Sequence, residues 1–207
     1  RSGTGLGAGG ARGGGTGGGV VAGAAGVGAT RAAGGLGILA SATMTYEELV
    51  AAVAEVKRRT DKPFGVNLRA DQADAPQRID LLIKEGVRVA SFAMAPKQDL
   101  IKRAQGGGVL VIPSIGARRH AEKVAAWGVD AVLVQGGEGG GHTGSVPTSL
   151  LLPQVVDAVD VPVIAAGGFF DGRGLVAALS YGAAGIAMGT RFLLTKDSEV
   201  PQSVKEV

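Results

Sequence analysis

The chain has 207 residues, 21 basic against 18 acidic side chains for a formal net charge of +3, and no cysteine. That length suits one domain with a sizeable core, and the missing thiols remove disulfides, thiolate catalysis, iron–sulfur clusters and cysteine zinc sites. A small, scattered positive excess with 4% aromatics offers no platform for nucleic acid, and no apolar run reaches the ~18 residues that cross a bilayer.

Glycine is the compositional anomaly, at 37 residues, and it crowds the start of the chain. No acid precedes Glu47 and no amide side chain precedes Asn67. Residue identities across 1–33 are therefore given low weight, with one strand expected near Gly13–Val21.

From Ala32 onward, apolar strands and amphipathic helices alternate. Leu36–Ala40 reads as a strand. Thr45 caps a helix over Tyr46–Arg59, with Glu48 completing a capping box. After the turn Asp61-Lys62-Pro63 come strand Phe64–Leu68, helix Asp74–Glu85 closed by Gly86, strand Val87–Ala93 and helix Pro96–Gln105. Strand Val109–Ile115, helix Arg118–Trp127 closed by Gly128 and strand Ala131–Gln135 follow. Beyond a long glycine-rich loop lie helix Leu150–Val159, strand Val161–Ala166, helix Gly172–Tyr181 and strand Ala184–Met188. With the early strand this makes eight units, and the reading is a parallel (β/α)8 barrel, a single domain over 1–207. An open doubly wound sheet is the alternative. The run Val200–Val207 looks like part of a helix, so a longer native chain is expected.

Three strand ends carry chemistry. Gln135-Gly136-Gly137-Glu138-Gly139-Gly140-Gly141-His142-Thr143-Gly144 follows the sixth expected strand, at the barrel end where active sites form. Consecutive glycines let backbone approach a ligand closely, and a histidine closing them suits acid/base or orienting work beside a planar cofactor. Spacing alone leaves an ordinary surface loop equally open. Gly167-Gly168 ends the seventh strand and Met188-Gly189-Thr190 the eighth, where barrel loops commonly hold a phosphate. Asn67, at a strand end, offers donor and acceptor to a heterocycle edge or caps a turn. Ser114 is a weaker candidate. His120 reads as a solvated helix residue and Glu138 as a solvated loop carboxylate. No cluster has metal-ligand spacing.

At these residues the sequence resembles the nitronate monooxygenase (2-nitropropane dioxygenase) family of FMN-dependent barrels, relatives of the FMN-type enoyl-acyl-carrier-protein reductases. The likeness runs through Ala33-Gly34-Gly35-Leu36-Gly37, Lys62–Leu68, the Gln135–Gly144 loop, Leu152–Val159, Pro162–Gly168 and Met188-Gly189-Thr190-Arg191-Phe192. It implies FMN as cofactor and His142 as the active-site histidine. It sets Asn67, Gln135, Gly140 and Gly141 beside the flavin, and Gly167, Gly168, Met188, Gly189 and Thr190 along its phosphate arm. The family has Met-Gly or Met-Ala at the first strand end; this chain reads Thr16-Gly17-Gly18-Gly19 there, which puts Gly18 at that contact. FMN rather than a dinucleotide also fits the lack of a strand-first Gly-x-Gly-x-x-Gly with an acid ~20 residues on.

The runs Ile38–Met44, Gly86–Gln98 and Phe169–Arg173 are similar to a branch from actinobacterial steroid breakdown that acts on coenzyme A esters. The implied activity is nitronate oxidation or, alternatively, redox chemistry on a coenzyme A ester or an enoyl-acyl-carrier-protein-like reduction. A small-molecule substrate, a nitronate or an acyl coenzyme A, is thus the expected partner; a homo-oligomer is compatible, and neither nucleic acid nor membrane is expected. A cytoplasmic location fits. Rival classes are a non-catalytic flavin-binding barrel and a phosphate-substrate isomerase or aldolase. The latter lacks a strand-end lysine, since Lys62, Lys84 and Lys97 fall in turns or helices.

Overall fold

The structure, a computed structural model, describes residues 23–32, 35–139, 144–196, 198 and 202–206. The strand expected near Gly13–Val21 lies outside these residues. In chain order the elements are α1 (Ala24–Ala32), β1 (Ile38–Ala40), α2 (Tyr46–Arg59), β2 (Gly65–Leu68) and α3 (Ala75–Lys84). Then come β3 (Val89–Phe92), α4 (Gln98–Gly106), β4 (Leu110–Ile115), α5 (Arg118–Ala126), β5 (Val132–Gln135) and α6 (Thr148–Val156). The chain continues with β6 (Val163–Ala166), α7 (Gly172–Ser180), β7 (Gly185–Ala187), α8 (Thr190–Leu193) and α9 (Gln202–Lys205).

Among the described residues the sheet has seven strands in the order β1-β2-β3-β4-β5-β6-β7, every pair parallel. A doubly wound sheet reverses its strand order part-way and carries helices on both faces. This sheet does neither. Its strand residues alternate between two apolar clusters. Val66, Ala90, Val111, Val134 and Ala165 join the helix residues Val53, Ile79, Ile101, Val124 and Leu152 in one. Val89, Ile112, Leu133 and Ala166 form the other, into which no helix residue enters. All helices of that first cluster therefore cover one face, and the strands curl around the other as they do in a barrel wall.

Local signals explain where helices begin and end. At α2 the Thr45 hydroxyl accepts from the Glu48 N–H at 3.2 Å, and the Glu48 carboxylate accepts from the Thr45 N–H at 2.8 Å. Gly86 and Gly128 end α3 and α5 at φ 69° and 83°, a conformation glycine reaches without strain. Replacing Thr45 by alanine is expected to cost about 1 kcal/mol. An unmoved denaturation midpoint would exclude the capping account.

The helix α1 was not expected. It forms in a Gly/Ala stretch because it packs closely. A Cβ on Gly28 would meet the Arg59 Cβ at 3.2 Å, and one on Gly37 would lie 2.6 Å from the Val27 carbonyl oxygen. Glycine at these two positions has a packing reason. The other expected elements are present, most with ends trimmed by one to a few residues; α6 starts two residues earlier than expected, α4 ends one later, and the short α8 was not expected.

Candidate functional site

Period-2 alternation sets what lines the open face of the sheet. Gly65, Val89, Ile112 and Leu133 face it lower down; Asn67, Ser91, Ser114 and Gln135 face it nearest the strand C-termini. The interior thus changes from apolar to polar at the end from which the βα loops emerge. Register brings Asn67 level with Ser91, and Gln135 level with Ala166 and Ala187.

Asn67 is fully buried. Its Nδ2 donates to the Ser91 hydroxyl at 3.4 Å, and its Oδ1 has no partner among the described residues. Its backbone carbonyl accepts from both the Ser41 N–H at 3.2 Å and the Ser41 hydroxyl at 2.7 Å. It is no turn cap. A buried, unpartnered amide oxygen costs about 1–3 kcal/mol, so its position suits a site where a ligand supplies the missing donor. Ser91 and Ser41, which sequence reasoning missed, hold this residue in place.

The glycine-rich loop is tied at its base. The Gly137 N–H donates to the Val146 carbonyl at 2.8 Å, and the Gly144 N–H to that of Gln135 at 3.4 Å. The Glu138 carboxylate accepts from the N–H of Thr148 at 2.9 Å. Thr148 is the first residue of α6, whose preceding Pro147 provides no side-chain cap. Glu138, expected as a solvated carboxylate, is exposed yet serves this helix end. Gln135 is buried, and a Cβ on Gly139 would come within 3.0 Å of its Nε2. His142, Gly140 and Gly141 lie outside the described residues, as does Gly18.

Gly167 and Gly168 turn the chain at the end of β6 with φ of 94° and 81°. A Cβ on Gly167 would sit 3.0 Å from the Gly139 nitrogen, so this turn packs against the glycine-rich loop. Both line a cleft of about 320 Å³ with Glu138, Thr148, Phe169 and Tyr181. Beyond it Asp171 caps α7, accepting from the N–H groups of Arg173 and Gly174 at 3.0 and 3.3 Å. The hydrogen-bonded Arg173 guanidinium holds its carboxyl below the usual carboxylate range. Met188, Gly189 and Thr190 leave the adjacent β7, with Met188 buried and Thr190 exposed. The structure therefore gathers Asn67, Gln135, Gly167, Gly168, Met188, Gly189 and Thr190 at one end of the sheet. His120 is exposed on α5. Among the described residues no group of three or more His, Cys, Asp or Glu is placed to hold a metal, and no helix is long and apolar enough to cross a membrane.

These residues fit a flavin mononucleotide. An orphaned amide at Asn67 can meet a polar ring edge, and the positive-φ turn at Gly167–Gly168, packed on Gly139 and Glu138, brings main chain to the strand end where a phosphate can bind. The family model of nitronate monooxygenase matches residues 14–78 and 75–207. The chain belongs to the nitronate monooxygenase family. Within what it matches, it is 72% identical over 190 residues to the (3aS,4S,5R,7aS)-5-hydroxy-7a-methyl-1-oxo-octahydro-1H-indene-4-carboxyl-CoA dehydrogenase of Rhodococcus jostii, covering 92% of this chain and 54% of that protein. It is 30% identical over 220 residues to a probable nitronate monooxygenase of Staphylococcus saprophyticus, covering 84% of this chain and 62% of that one. Among solved structures, FabK from Thermotoga maritima superposes with a TM-score of 0.83 at 40% identity, over 92% of this chain and 60% of its own. Nitroalkane oxidase from Streptomyces ansochromogenes does so at 0.77 and 30%, over 83% and 62%. The chain spans about half the length of the first of these relatives.

Proposed function

We propose that the protein is an FMN-dependent oxidoreductase acting on a ring-bearing coenzyme A ester of the hydroxy-indane carboxyl type. The geometric observation behind the flavin is the orphaned amide of Asn67 at the same sheet end as the Gly167–Gly168 cradle. The substrate class rests on the 72% identity, over 92% of the chain, to the dehydrogenase of such an ester. Nitronate oxidation is the second reading, favoured by the family model and by the nitroalkane oxidase likeness. In this proposal the seven strands close into an eight-stranded single-domain barrel with a strand from Gly13–Val21, in a cytoplasmic protein.

The two substrates share one chemical demand. A carbon beside a thioester carbonyl, or beside a nitro group, carries an acidic proton that a base must accept, and the anion left, an enolate or a nitronate, must be steadied for oxidation. In this reading His142 is that base. Asn67 and Gln135 hold the ring edge of the cofactor, with Gly18, Gly140 and Gly141 letting backbone come close to it. Gly167, Gly168, Met188, Gly189 and Thr190 hold its phosphate arm. FMN, when bound, supplies the two-electron redox chemistry.

The full-length protein is expected to purify yellow and to release FMN on denaturation. Anaerobic addition of the hydroxy-indane carboxyl coenzyme A ester should bleach the flavin within seconds, and propyl nitronate should do so far more slowly. Faster bleaching by the nitronate would reverse the order of the two readings. Release of FAD, or of no flavin, would end both.

A further inference from the structure

We propose that Arg78, a buried arginine on α3, is a positioning residue for the cofactor end of the sheet, acting on Asn67 through the loop that follows β1. The inference rests on the flavin reading above. Arg78 is 2% exposed. Its Nε donates to the Asp74 carboxylate at 2.7 Å, one turn back on the helix. Its Nη2 donates to the Met44 carbonyl at 2.7 Å and its Nη1 to the Ser41 carbonyl at 3.3 Å. Both carbonyls belong to the segment Ser41–Thr45, which leaves β1 on the face that gathers the candidate site. A third carbonyl of that segment, from Ala42, accepts from the Gln72 amide at 3.4 Å.

Ser41 is the link. Its carbonyl is held by Arg78, and its N–H and hydroxyl both donate to the carbonyl of Asn67. Arg78, Ser41 and Asn67 thus form a line of direct hydrogen bonds. It ends at Asn67, whose buried amide oxygen has no partner among the described residues, a state it shares with the amide oxygen of Gln72 beside the same loop. All three are buried, so no solvent screens the line.

Packing does not require a charge here. The neighbouring α3 residues Ile79 and Leu82 fill the core with aliphatic carbon, and an apolar side chain at 78 would avoid the desolvation of a guanidinium. What arginine adds is a rigid planar fork that grips two carbonyls and a carboxylate together. Lysine is a point charge with no such fork. Arg78 therefore fixes where Ser41 lies, and Ser41 fixes the main chain that aims the Asn67 amide.

The test measures the FMN dissociation constant of the flavin-stripped, full-length protein by quenching of flavin fluorescence. Wild type, R78K, S41A and the double variant are compared, with apoprotein melting temperatures taken in parallel. R78K is expected to weaken FMN about tenfold or more, the scale of losing hydrogen bonds from a charged donor, and to shift the bound-flavin absorption envelope. S41A should weaken FMN in the same direction. The double variant should fall short of the product of the two, because both act along one line. A lower melting temperature in R78K with an FMN constant within twofold of wild type would make Arg78 a structural tether only and overturn the proposal. Fully multiplicative effects would also overturn it. Should R78K not fold, S41A decides alone, and an unchanged constant there refutes the link. A wild-type protein that binds no FMN fails the flavin reading itself, and this inference with it.

Discussion

Replacing His142 by alanine is expected to lower turnover by roughly 10²–10⁴-fold, the range for removing a general acid or base, while leaving FMN content nearly unchanged. The affinity should survive because the proposed site holds the phosphate arm elsewhere, at Gly167–Gly168 and Met188–Thr190. The His142 side chain follows three glycines, which offer nothing to screen it from a ligand. The loop that carries it starts and ends on fixed ground. Gly137 is bonded to Val146, Gly144 to Gln135, and Glu138 to the first N–H of α6. The control is His120→Ala. His120 is exposed on α5, and its Nε2 accepts only a long bond, 3.4 Å, from Arg119. Its loss should leave turnover within twofold. Equal, near-wild-type turnover in the two variants would remove His142 from the chemistry. Loss of flavin or of the fold in the His142 variant alone would make its role structural.

The residues on which this reading leans differ in how far they could be read from sequence. The capping box at Thr45 and Glu48 and the helix stops at Gly86 and Gly128 were legible because their partners lie within one turn. The alternation of strand and helix was legible for the same reason, since each element shows its own period. Asn67 and Gln135 stood out as polar residues ending apolar runs. Ser91 did not, because its role exists only once β2 and β3 pair in the register that sets it beside Asn67. Arg78 reads as one more charge on an amphipathic helix. Its burial depends on a loop 37 residues earlier in the chain, a contact no local pattern announces. The helix α1 was hidden for another reason. Its glycines argue against helix by propensity, and tertiary packing on Arg59 and Gly37 overrides that preference. Glu138 looked like a solvated carboxylate because the end of α6 it serves lies ten residues on.

Gly167→Ala is expected to be the most damaging of the conservative changes at the proposed cofactor end, costing about 2–5 kcal/mol of stability and most of the bound flavin. Two causes add. The residue sits at φ 94°, a conformation that costs an L side chain about 1–2 kcal/mol. Its Cβ would also lie 3.0 Å from the Gly139 nitrogen, 3.2 Å from the Gly139 Cα and 3.1 Å from the Thr148 hydroxyl. Two of those atoms are backbone of the loop that carries His142, and moving packed backbone adds a further ~1–3 kcal/mol. Gly168→Ala separates the two causes. Its φ, 81°, is comparable, yet its Cβ would come within 3.4 Å of one atom alone, the Glu138 Cβ at 3.3 Å, with the Glu138 carbonyl and carboxylate oxygens at 3.9 Å. Gly168→Ala should therefore show mainly the conformational cost, about 1–2 kcal/mol, with a smaller loss of flavin. Chemical denaturation of the two apoproteins, with FMN titration of each, measures both effects. The order follows from how much must move: at Gly168 the Glu138 Cβ by a few tenths of an ångström, at Gly167 two main-chain atoms and a hydroxyl around a loop already bonded at its base. If the two variants lose equal stability, the close packing of Gly167 on Gly139 is not what holds this end together. If Gly167→Ala unfolds easily but binds FMN as tightly as wild type once folded, the cradle at the end of β6 is not where the phosphate sits.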